Sequence, residues 1–460
     1  MIWEVPTIAR KLADKIHGQV LEPADRDFDE ARSISNGRFD RRPDIIVRCR
    51  DADDVRASVD FARQERLTLS VRGGGHSYAG NTVSDGGLLI DLSLMKAIRV
   101  DAESRTATVQ PGVTCGELDH ATQAHGLATP GPTVSSVGVA GAALGGGSGY
   151  LSRKYGLALD NLLSVDVVTA DGRQLRASEH EHPDLFWAMR GAGPNFGVAT
   201  SLQFRLHEVG PEVLTGQIIY PFDNGDELLR FFRGFIADAP EGFQCYPFMI
   251  RIPPIEPFPE RFHGHPALDF VLCHLDSRAI DYVQPLRDLG EPILDIVGPA
   301  TYESLQKSFD TGLPRGRRYY SRGHYLNELS DASIDTITTH TPGMQGGLTA
   351  VYLEPLGGAI GRVDSAATSF GERNARYSFH ILAGWVEAAD DDSVMAWAET
   401  FHAAMVPNAT GGVYVNLLGD DEEDRVPAAY GENYRRLIEL KTAWDADNLF
   451  RMNHNIPPSA

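Results

Sequence analysis

The sequence predicts an α+β chain with about two or three cores, and three observations carry that prediction. From Asp44 to about Glu208, short strands alternate with helices. After Gly210 the texture changes: Pro253, Pro254, Pro257 and Pro259 crowd one loop and strands dominate. From Asp424 to Pro457 a helix gives way to an irregular tail. A chain of 460 residues is long enough to enclose a ligand between cores.

The elements follow in order. Met1 to Val20 is an amphipathic helical pattern with Lys11, Asp14 and Lys15 inside it, which is not the apolar core of a secretion signal. Ile45 to Cys49 reads as a strand, and Asp53 to Glu65 as a helix with acidic residues in its first turn. Leu67 to Val71 and Gly87 to Leu92 read as strands on either side of a glycine-rich turn, and Ala107 to Gln110 as a strand ending before Pro111-Gly112. Gly116 to Ala124 is a helix ended by Gly126. Val137 to Gly149 has glycine at six of its thirteen positions, which makes a poor helix interior. The backbone there either turns sharply or lies close against something bulky, and a ligand suits that better than a neighbouring segment. In the second half, Thr349 to Leu353 and Ser378 to Leu382 are strands. Tyr434 to Lys441 has apolar residues at helical spacing.

Acidic residues outnumber basic ones 63 to 42, giving a net charge of −21. That balance, with no basic run of five residues, argues against nucleic acid or anionic membrane as a partner. No run of about eighteen apolar residues suggests a membrane span. Cys49, Cys115, Cys245 and Cys273 are scattered without metal-ligand spacing, so no metal site is expected and the thiols are read as small buried side chains. The bulk reading is a cytoplasmic protein.

Chemistry concentrates in Val71-Arg72-Gly73-Gly74-Gly75-His76-Ser77. Glycine reaches φ > 0 without a Cβ clash, so three in succession can aim backbone N–H groups into one concavity that suits a pyrophosphate, with a histidine nucleophile at its end. A plain β-turn has the same composition.

Four segments in order, VRGGGHSYAGN, GVAGAALGGGSGYLSRKYGLALDNLLSVDVVTADG, DLFWAMRGAGPNFGV and NYRRLIELKTAWDADNLFRMNHNI, closely resemble the berberine-bridge-enzyme-like family. These are FAD-linked oxidases of the vanillyl-alcohol-oxidase superfamily. The resemblance covers nearly the whole chain and is loose over about Gly210 to Gly346. It implies a two-part FAD-binding domain over residues 1–208, a substrate-binding domain over 209–412 with an antiparallel sheet backed by helices, and a segment over 413–460 that returns to the FAD domain. It also implies a covalent bond from His76 to the 8α-methyl carbon of FAD. Relatives with a second, cysteinyl link carry the cysteine where this chain has Val134, so a single link is expected.

For the rest of the cofactor site, the resemblance places Arg72, Gly73, Gly74, Gly75, His76 and Ser77 around the pyrophosphate. Val137, Gly138, Gly141, Gly147 and Gly149 fall along the adenosine and phosphate side. Asn195, Gly197 and Val198 fall near the adenine, and Tyr414 and Asn416 return to the flavin. The family's catalytic tyrosine is Leu417 here, which removes the usual acid-base arrangement. Counting back from Trp385, a second catalytic position falls on His380, with Tyr377, Tyr320 and His324 as fallbacks. Along that strand Ser378, His380 and Leu382 share one face, and Tyr377, Phe379 and Ile381 the other. Tyr319, Tyr320 and Tyr325 offer rings that would stack on a flat or sugar-like ligand.

The activity so implied is oxidation of a hydroxyl- or amine-bearing carbon of a small organic molecule by hydride transfer to flavin N5, with dioxygen reduced to hydrogen peroxide. Three other readings stay open at this point: a dehydrogenase using a non-oxygen acceptor, a flavin-holding protein with little turnover, and an NADPH-dependent flavoenzyme. The last is disfavoured by the histidine turn.

Overall fold

The computed structural model describes residues 8–459. Three large sheets carry the fold, beside a two-stranded pair of Leu127–Ala128 with His207–Glu208. The first is four-stranded, in the order Gln19–Leu21, Ile45–Arg48, Leu88–Asp91, Leu69–Arg72, with the last three strands parallel. Strands buried on both faces read as unbroken apolar runs, and Ile45-Ile46-Val47 and Leu88-Leu89-Ile90 are such runs, each residue at most 3% exposed. Helix Ala52–Glu65 makes the crossover. Asp51 caps it by accepting from the Asp53 and Asp54 amides at 3.0 Å, and Arg66 stops it in the left-handed region.

The second sheet is antiparallel and five-stranded: Ile98–Asp101, Thr106–Val109, Val198–Arg205, Leu162–Val168, Gln174–Ser178. The third is antiparallel and the largest. Its strands run Leu294–Asp295, Glu212–Pro221, Pro266–His274, Phe243–Arg251, Ala350–Pro355, Tyr377–Trp385, Arg318–Leu326, with Gly298–Thr301 also pairing Glu212–Pro221. One face packs on helices Gly225–Ala237, Asp331–His340 and Asp391–Met405 through Phe232, Phe270, Ile337, Phe379 and Phe401. The expected α+β architecture, with an antiparallel sheet backed by helices, is what forms. Among the described residues, no helix is long and apolar enough to cross a membrane.

Two local expectations differ from the structure. The amphipathic pattern of Met1 to Val20 yields a helix only over Ile8–Ala13, followed by strand Gln19–Leu21, and residues 1–7 lie outside the described residues. The glycine-dense stretch contains a helix, Val139–Gly145, despite its composition. Val139, Ala140, Ala142, Ala143 and Leu144 are all buried there, so packing outweighs the propensity cost of about 1 kcal/mol per glycine.

The tail is pinned by a buried cation. Lys441, in helix Tyr434–Trp444, donates to the Asn195 carbonyl at 2.8 Å, the Phe450 carbonyl at 2.9 Å and Asp445 Oδ2 at 2.7 Å. Asn195 reciprocates from its side chain, accepting from the Ile456 amide at 2.9 Å and donating to the His454 carbonyl at 3.2 Å.

Candidate active site

A cavity of about 960 Å³ lies between the open face of the large sheet and the glycine-rich segments of the first half. Its floor starts at strand Leu69–Arg72, which runs into the Gly73-Gly74-Gly75-His76 turn. Gly75 sits at φ +71, and Gly74 lies so close to Gly138 that a Cβ on Gly74 would stand 2.4 Å from the Gly138 amide nitrogen. That approach of two backbones requires glycine on both sides. Gly141 has open space where a Cβ would go and lines the cavity.

His76 also lines the cavity. Its Nε2 lies 3.0 Å from the Ser136 hydroxyl. Burial, reinforced by the Arg315 guanidinium, lowers its pKa to about 4, so the ring is neutral at physiological pH. Arg315 in turn donates to the Gly74 carbonyl at 3.2 Å.

The C-terminal segment closes the site from the opposite side. The Tyr414 hydroxyl accepts from the Gly147 amide at 2.8 Å and from Asn416 Nδ2 at 3.0 Å, and Asn416 Nδ2 also donates to the Ala142 carbonyl at 3.1 Å. These bonds tie residues 414–416 to the end of helix Val139–Gly145, where Gly146 and Gly147 reverse the chain at φ 153 and 82.

Of the residues expected around the cofactor, Gly73, Gly74, Gly75, His76, Ser77, Val137, Gly138, Gly141, Gly147, Asn195, Gly197, Val198, Tyr414 and Asn416 all line this one cavity. Two do not. Arg72 turns away into a buried ion pair with Asp91, Nη2 to Oδ2 at 2.8 Å and Nε to Oδ1 at 3.2 Å, and donates to the Ser33 carbonyl at 2.9 Å. It braces the strand that leads into the turn. Gly149 serves packing, because a Cβ there would stand 2.0 Å from the Gly131 carbonyl oxygen. Val134 lines the cavity at the expected cysteine position, whereas Cys115 is buried elsewhere, with its thiol pKa pushed up by burial.

The catalytic candidates fare differently. Tyr377 and Tyr320 point to the helical side of the large sheet, inside its core. The Tyr320 hydroxyl bonds to Asp421 at 2.8 Å and also to Glu399 and Arg322. Neither tyrosine can reach the cavity. His324 shares that side, stacked on His402 with ring centroids 4.2 Å apart. Tyr319 and Tyr325 are also buried away from the cavity.

His380 is on the same side of the sheet, directly opposite Tyr352 on the neighbouring strand with ring centroids 4.7 Å apart, but it is buried and does not line the cavity. Burial lowers its pKa to about 3, and neither ring nitrogen has a hydrogen-bond partner. A base that weak, out of contact with the cavity, does not fit the role expected for it.

Among the described residues three carboxyls line the cavity, the exposed Glu256 and the buried Asp269 and Glu354, the last in strand Ala350–Pro355. Glu354 accepts from the Ser148 hydroxyl and from the Tyr246 hydroxyl at 3.4 Å, and its Oε2 lies 4.0 Å from His380 Nε2. Burial raises its pKa to about 7, against the lowering effect of those two hydrogen bonds. Neither buried acid, Glu354 or Asp269, is among the residues the sequence reading singles out. The signal was present: each is the single charged residue in an otherwise apolar strand, AVYLEP and PALDFVLCH.

The donor set fits FAD. The cavity volume stands at the upper end of the ~300–1,000 Å³ usual for ligand pockets, as a dinucleotide needs. The doubled glycine approach leaves a shallow backbone cradle. Thr82 Oγ1 and Asn453 Oδ1, both in cavity-lining residues, are buried without a protein partner.

Comparison with known proteins agrees. Residues 43–178 match a family model described as an FAD binding domain, and residues 413–457 match one described as berberine and berberine like. An uncharacterized FAD-linked oxidoreductase of Bacillus subtilis is 31% identical over 455 residues, covering 96% of this chain and 98% of that protein. The (R)-6-hydroxynicotine oxidase of Paenarthrobacter nicotinovorans is 31% identical over 469 residues, covering 96% and 97%. Xylooligosaccharide oxidase of Thermothelomyces thermophilus is 37% identical over 451 residues, covering 92% and 89%. Among solved structures, 6-hydroxy-D-nicotine oxidase from Arthrobacter nicotinovorans superposes with a TM-score of 0.86 at 29% identity, covering 96% of this chain and 98% of that one.

Proposed function

Since the chain belongs to the berberine-bridge-enzyme-like family of FAD-linked oxidoreductases, we propose that it oxidises a hydroxyl- or amine-bearing carbon of a small organic molecule, with dioxygen as acceptor. The observation that carries this reading is the neutral His76 at the end of the triple-glycine turn, facing the same cavity as a buried carboxyl whose pKa is about 7. FAD held there would supply a hydride acceptor at N5 and, through it, a route for two electrons to dioxygen with hydrogen peroxide as product.

The chain's own part is attachment, proton transfer and exclusion of water. The Ser136 hydroxyl holds His76 Nε2, so a bond to FAD would be made from Nδ1; it would replace one C–H of the 8α-methyl group, the proton leaving to solvent and the electron pair passing through the flavin to dioxygen. With Val134 in place of a cysteine, His76 is the single attachment point. Glu354 takes the role sought in His380: its carboxylate accepts the substrate's hydroxyl or amine proton, and a pKa near 7 keeps it partly ionised at neutral pH. His380, neutral and 4.0 Å behind it, acts as a positioning residue. Leu417 lines the cavity where relatives carry tyrosine, and Glu354 supplies the acid-base group that leucine lacks. That favours an active oxidase over a flavin holder with little turnover. In this reading residues 1–208 hold the cofactor, 209–412 shape the substrate wall, and 413–460 return to seal the flavin end.

The test is an intact mass and visible spectrum of acid-denatured protein beside His76→Ala. Retained yellow colour with the mass of one FAD, lost in the variant, supports a single histidyl link. A colourless wild-type chain of bare polypeptide mass overturns the attachment. Oxygen consumption across a panel of alcohols and amines then tests the acceptor, and no uptake with any of them counts against the oxidase reading.

A further inference from the structure

Asp269 sits mid-strand in Pro266–His274, directly across from Ile219 on one neighbouring strand and Phe248 on the other. Residues opposite one another in an antiparallel sheet point to the same side, and all three line the cavity. Asp269 is 4% exposed. Its Oδ1 is fully buried without a partner, and among the described residues no hydrogen bond or ion pair reaches the carboxyl at all. The wall beside it is largely apolar, built of Ile219, Phe248, Ile250, Leu294, Ile296 and Phe309, with Gln217 and, toward the exposed rim, Glu256 as its other polar members. Arg251, the cation among the lining residues of this wall, is committed elsewhere, donating to the carbonyls of Met344 at 3.1 Å, Gly264 at 2.8 Å and Pro342 at 2.8 Å.

A buried carboxyl without a partner is strongly disfavoured in its ionised form, so an arrangement of this kind calls for a ligand group that completes it. The shape of the wall says which. A sugar brings a hydroxyl on nearly every carbon, each needing a partner, and a wall made mostly of isoleucine, leucine and phenylalanine leaves most of them unsatisfied. A ligand with an apolar ring body and a single polar head matches it. Of such heads, a basic nitrogen gains most, because it can take up the carboxyl's latent negative charge in a low-dielectric site. The rings beside Asp269 favour the same choice. Phe248 stacks on Tyr352 at 4.8 Å and packs on Phe309 at 5.1 Å, giving π-faces next to the position an ammonium would occupy. The net charge of −21 draws cations toward the molecule as a whole.

We propose that Asp269 anchors a basic nitrogen of the substrate, so that this enzyme takes an apolar, ring-bearing amine in preference to a sugar. The proposal rests on the oxidoreductase reading above and narrows its substrate class.

The experiment compares N-methylbenzylamine with its neutral isostere benzyl methyl ether, and both with xylobiose, by calorimetry on the purified holoprotein and by the flavin difference spectrum. The expected result is that the amine binds at least about tenfold tighter than the ether, that xylobiose is the weakest, and that Asp269→Asn removes the amine's advantage while leaving ether affinity unchanged. Equal binding of amine and ether by the wild type overturns the proposal without any variant, as does absence of measurable heat with the amine, or a preference for xylobiose. An Asp269→Asn protein that keeps its flavin content and its amine preference also overturns it. A wild-type chain purified without FAD, or whose FAD is not reduced by dithionite and reoxidised by air, sinks the oxidoreductase reading instead, and calorimetry still decides on Asp269.

Discussion

Glu354→Gln separates a carboxyl held near neutrality by its surroundings from one that merely fills space. Burial moves this group from its usual 4.5 up to about 7. At about 1.4 kcal/mol per pH unit, that gap amounts to roughly 3 kcal/mol. The sign follows from which state loses its proton first. Below pH 4.5 both folded and unfolded chains hold the proton and the group costs nothing. As pH rises the unfolded chain ionises first, stability falls, and above about pH 7 the full penalty is present. Glutamine keeps the shape, accepts the same hydrogen bonds from Ser148 and Tyr246, and has no proton to lose. With an unfolding entropy of about 2.1 cal/mol/K per residue, 3 kcal/mol corresponds to roughly 3 °C in a chain of 460 residues. The variant should therefore melt at the wild-type temperature near pH 4.5 and up to about 3 °C higher at pH 8, read by scanning calorimetry across the pH series. If Glu354 is the proton acceptor, the same variant loses about 10²–10⁴-fold in turnover while dithionite still bleaches its flavin. A difference in melting temperature that stays constant with pH, or turnover within a few-fold of wild type, would refute the reasoning.

Three other perturbations follow from the geometry. Gly74→Ala puts a Cβ 2.4 Å from the Gly138 amide nitrogen, so the two backbones must separate; a loss of about 1–3 kcal/mol and a sub-stoichiometric flavin-to-protein ratio are expected, and a fully loaded, equally stable variant contradicts the close approach. Because the His76 pKa is depressed to about 4, covalent incorporation of FAD into apoprotein should run at a constant rate from pH 6 to 8 and slow as pH falls toward 4, where the ring gains a proton; flavin fluorescence on denaturing gels measures it, and a rate rising steeply through pH 6.5 would mean an ordinary exposed histidine. Lys441→Met leaves Asp445 buried with two backbone donors and no counter-ion, so a loss of about 3–5 kcal/mol is expected, with hydrogen exchange accelerated first over residues 449–456; protection unchanged there would show that the tail is held by something else.

The cofactor half was legible because its constraints are local. A triple-glycine turn between two strands announces backbone close approach, and Gly74 against Gly138 is that approach. The parallel strands showed themselves as unbroken apolar runs. The substrate side was not legible in the same way, because it depends on long-range register. Period two separates His380 from Tyr377 along one strand, yet nothing local says which side looks at a ligand or that His380, packed beside Tyr352 of the next strand, is covered while Tyr352 lines the cavity. Tyr320 is likewise an aromatic hydroxyl near the right place in the chain, and only the pairing of Arg318–Leu326 at the sheet's edge sends it into the helical core. Arg72 failed for a different reason. Adjacent to a phosphate-type turn, a cation suggests anion binding, but Asp91 on the neighbouring parallel strand lies directly opposite and captures it.

Two acids on one sheet face, with different surroundings, set a length for the substrate. Tyr352 and Asp269 flank Phe248 in a single row across three strands, and Glu354 lies two residues beyond Tyr352. Two strand spacings of about 4.8 Å and two residues of about 3.4 Å put the Cα atoms of Asp269 and Glu354 roughly 12 Å apart. Glu354 is steadied by two donated hydrogen bonds and poised near neutral pH, whereas Asp269 has none and burial pushes its carboxyl well above the usual carboxylate range. Environments that push two carboxyls apart in this way divide their labour, one exchanging a proton with the substrate and the other holding its far end. A molecule that serves both must place a ring body between its reacting carbon and its nitrogen. In a series of phenylalkyl amines of increasing chain length, affinity should rise until that span is filled and then fall, and the rise should vanish in Asp269→Asn. An affinity that simply grows with each added methylene in both proteins would show that burial alone, and no anchoring at Asp269, selects the ligand.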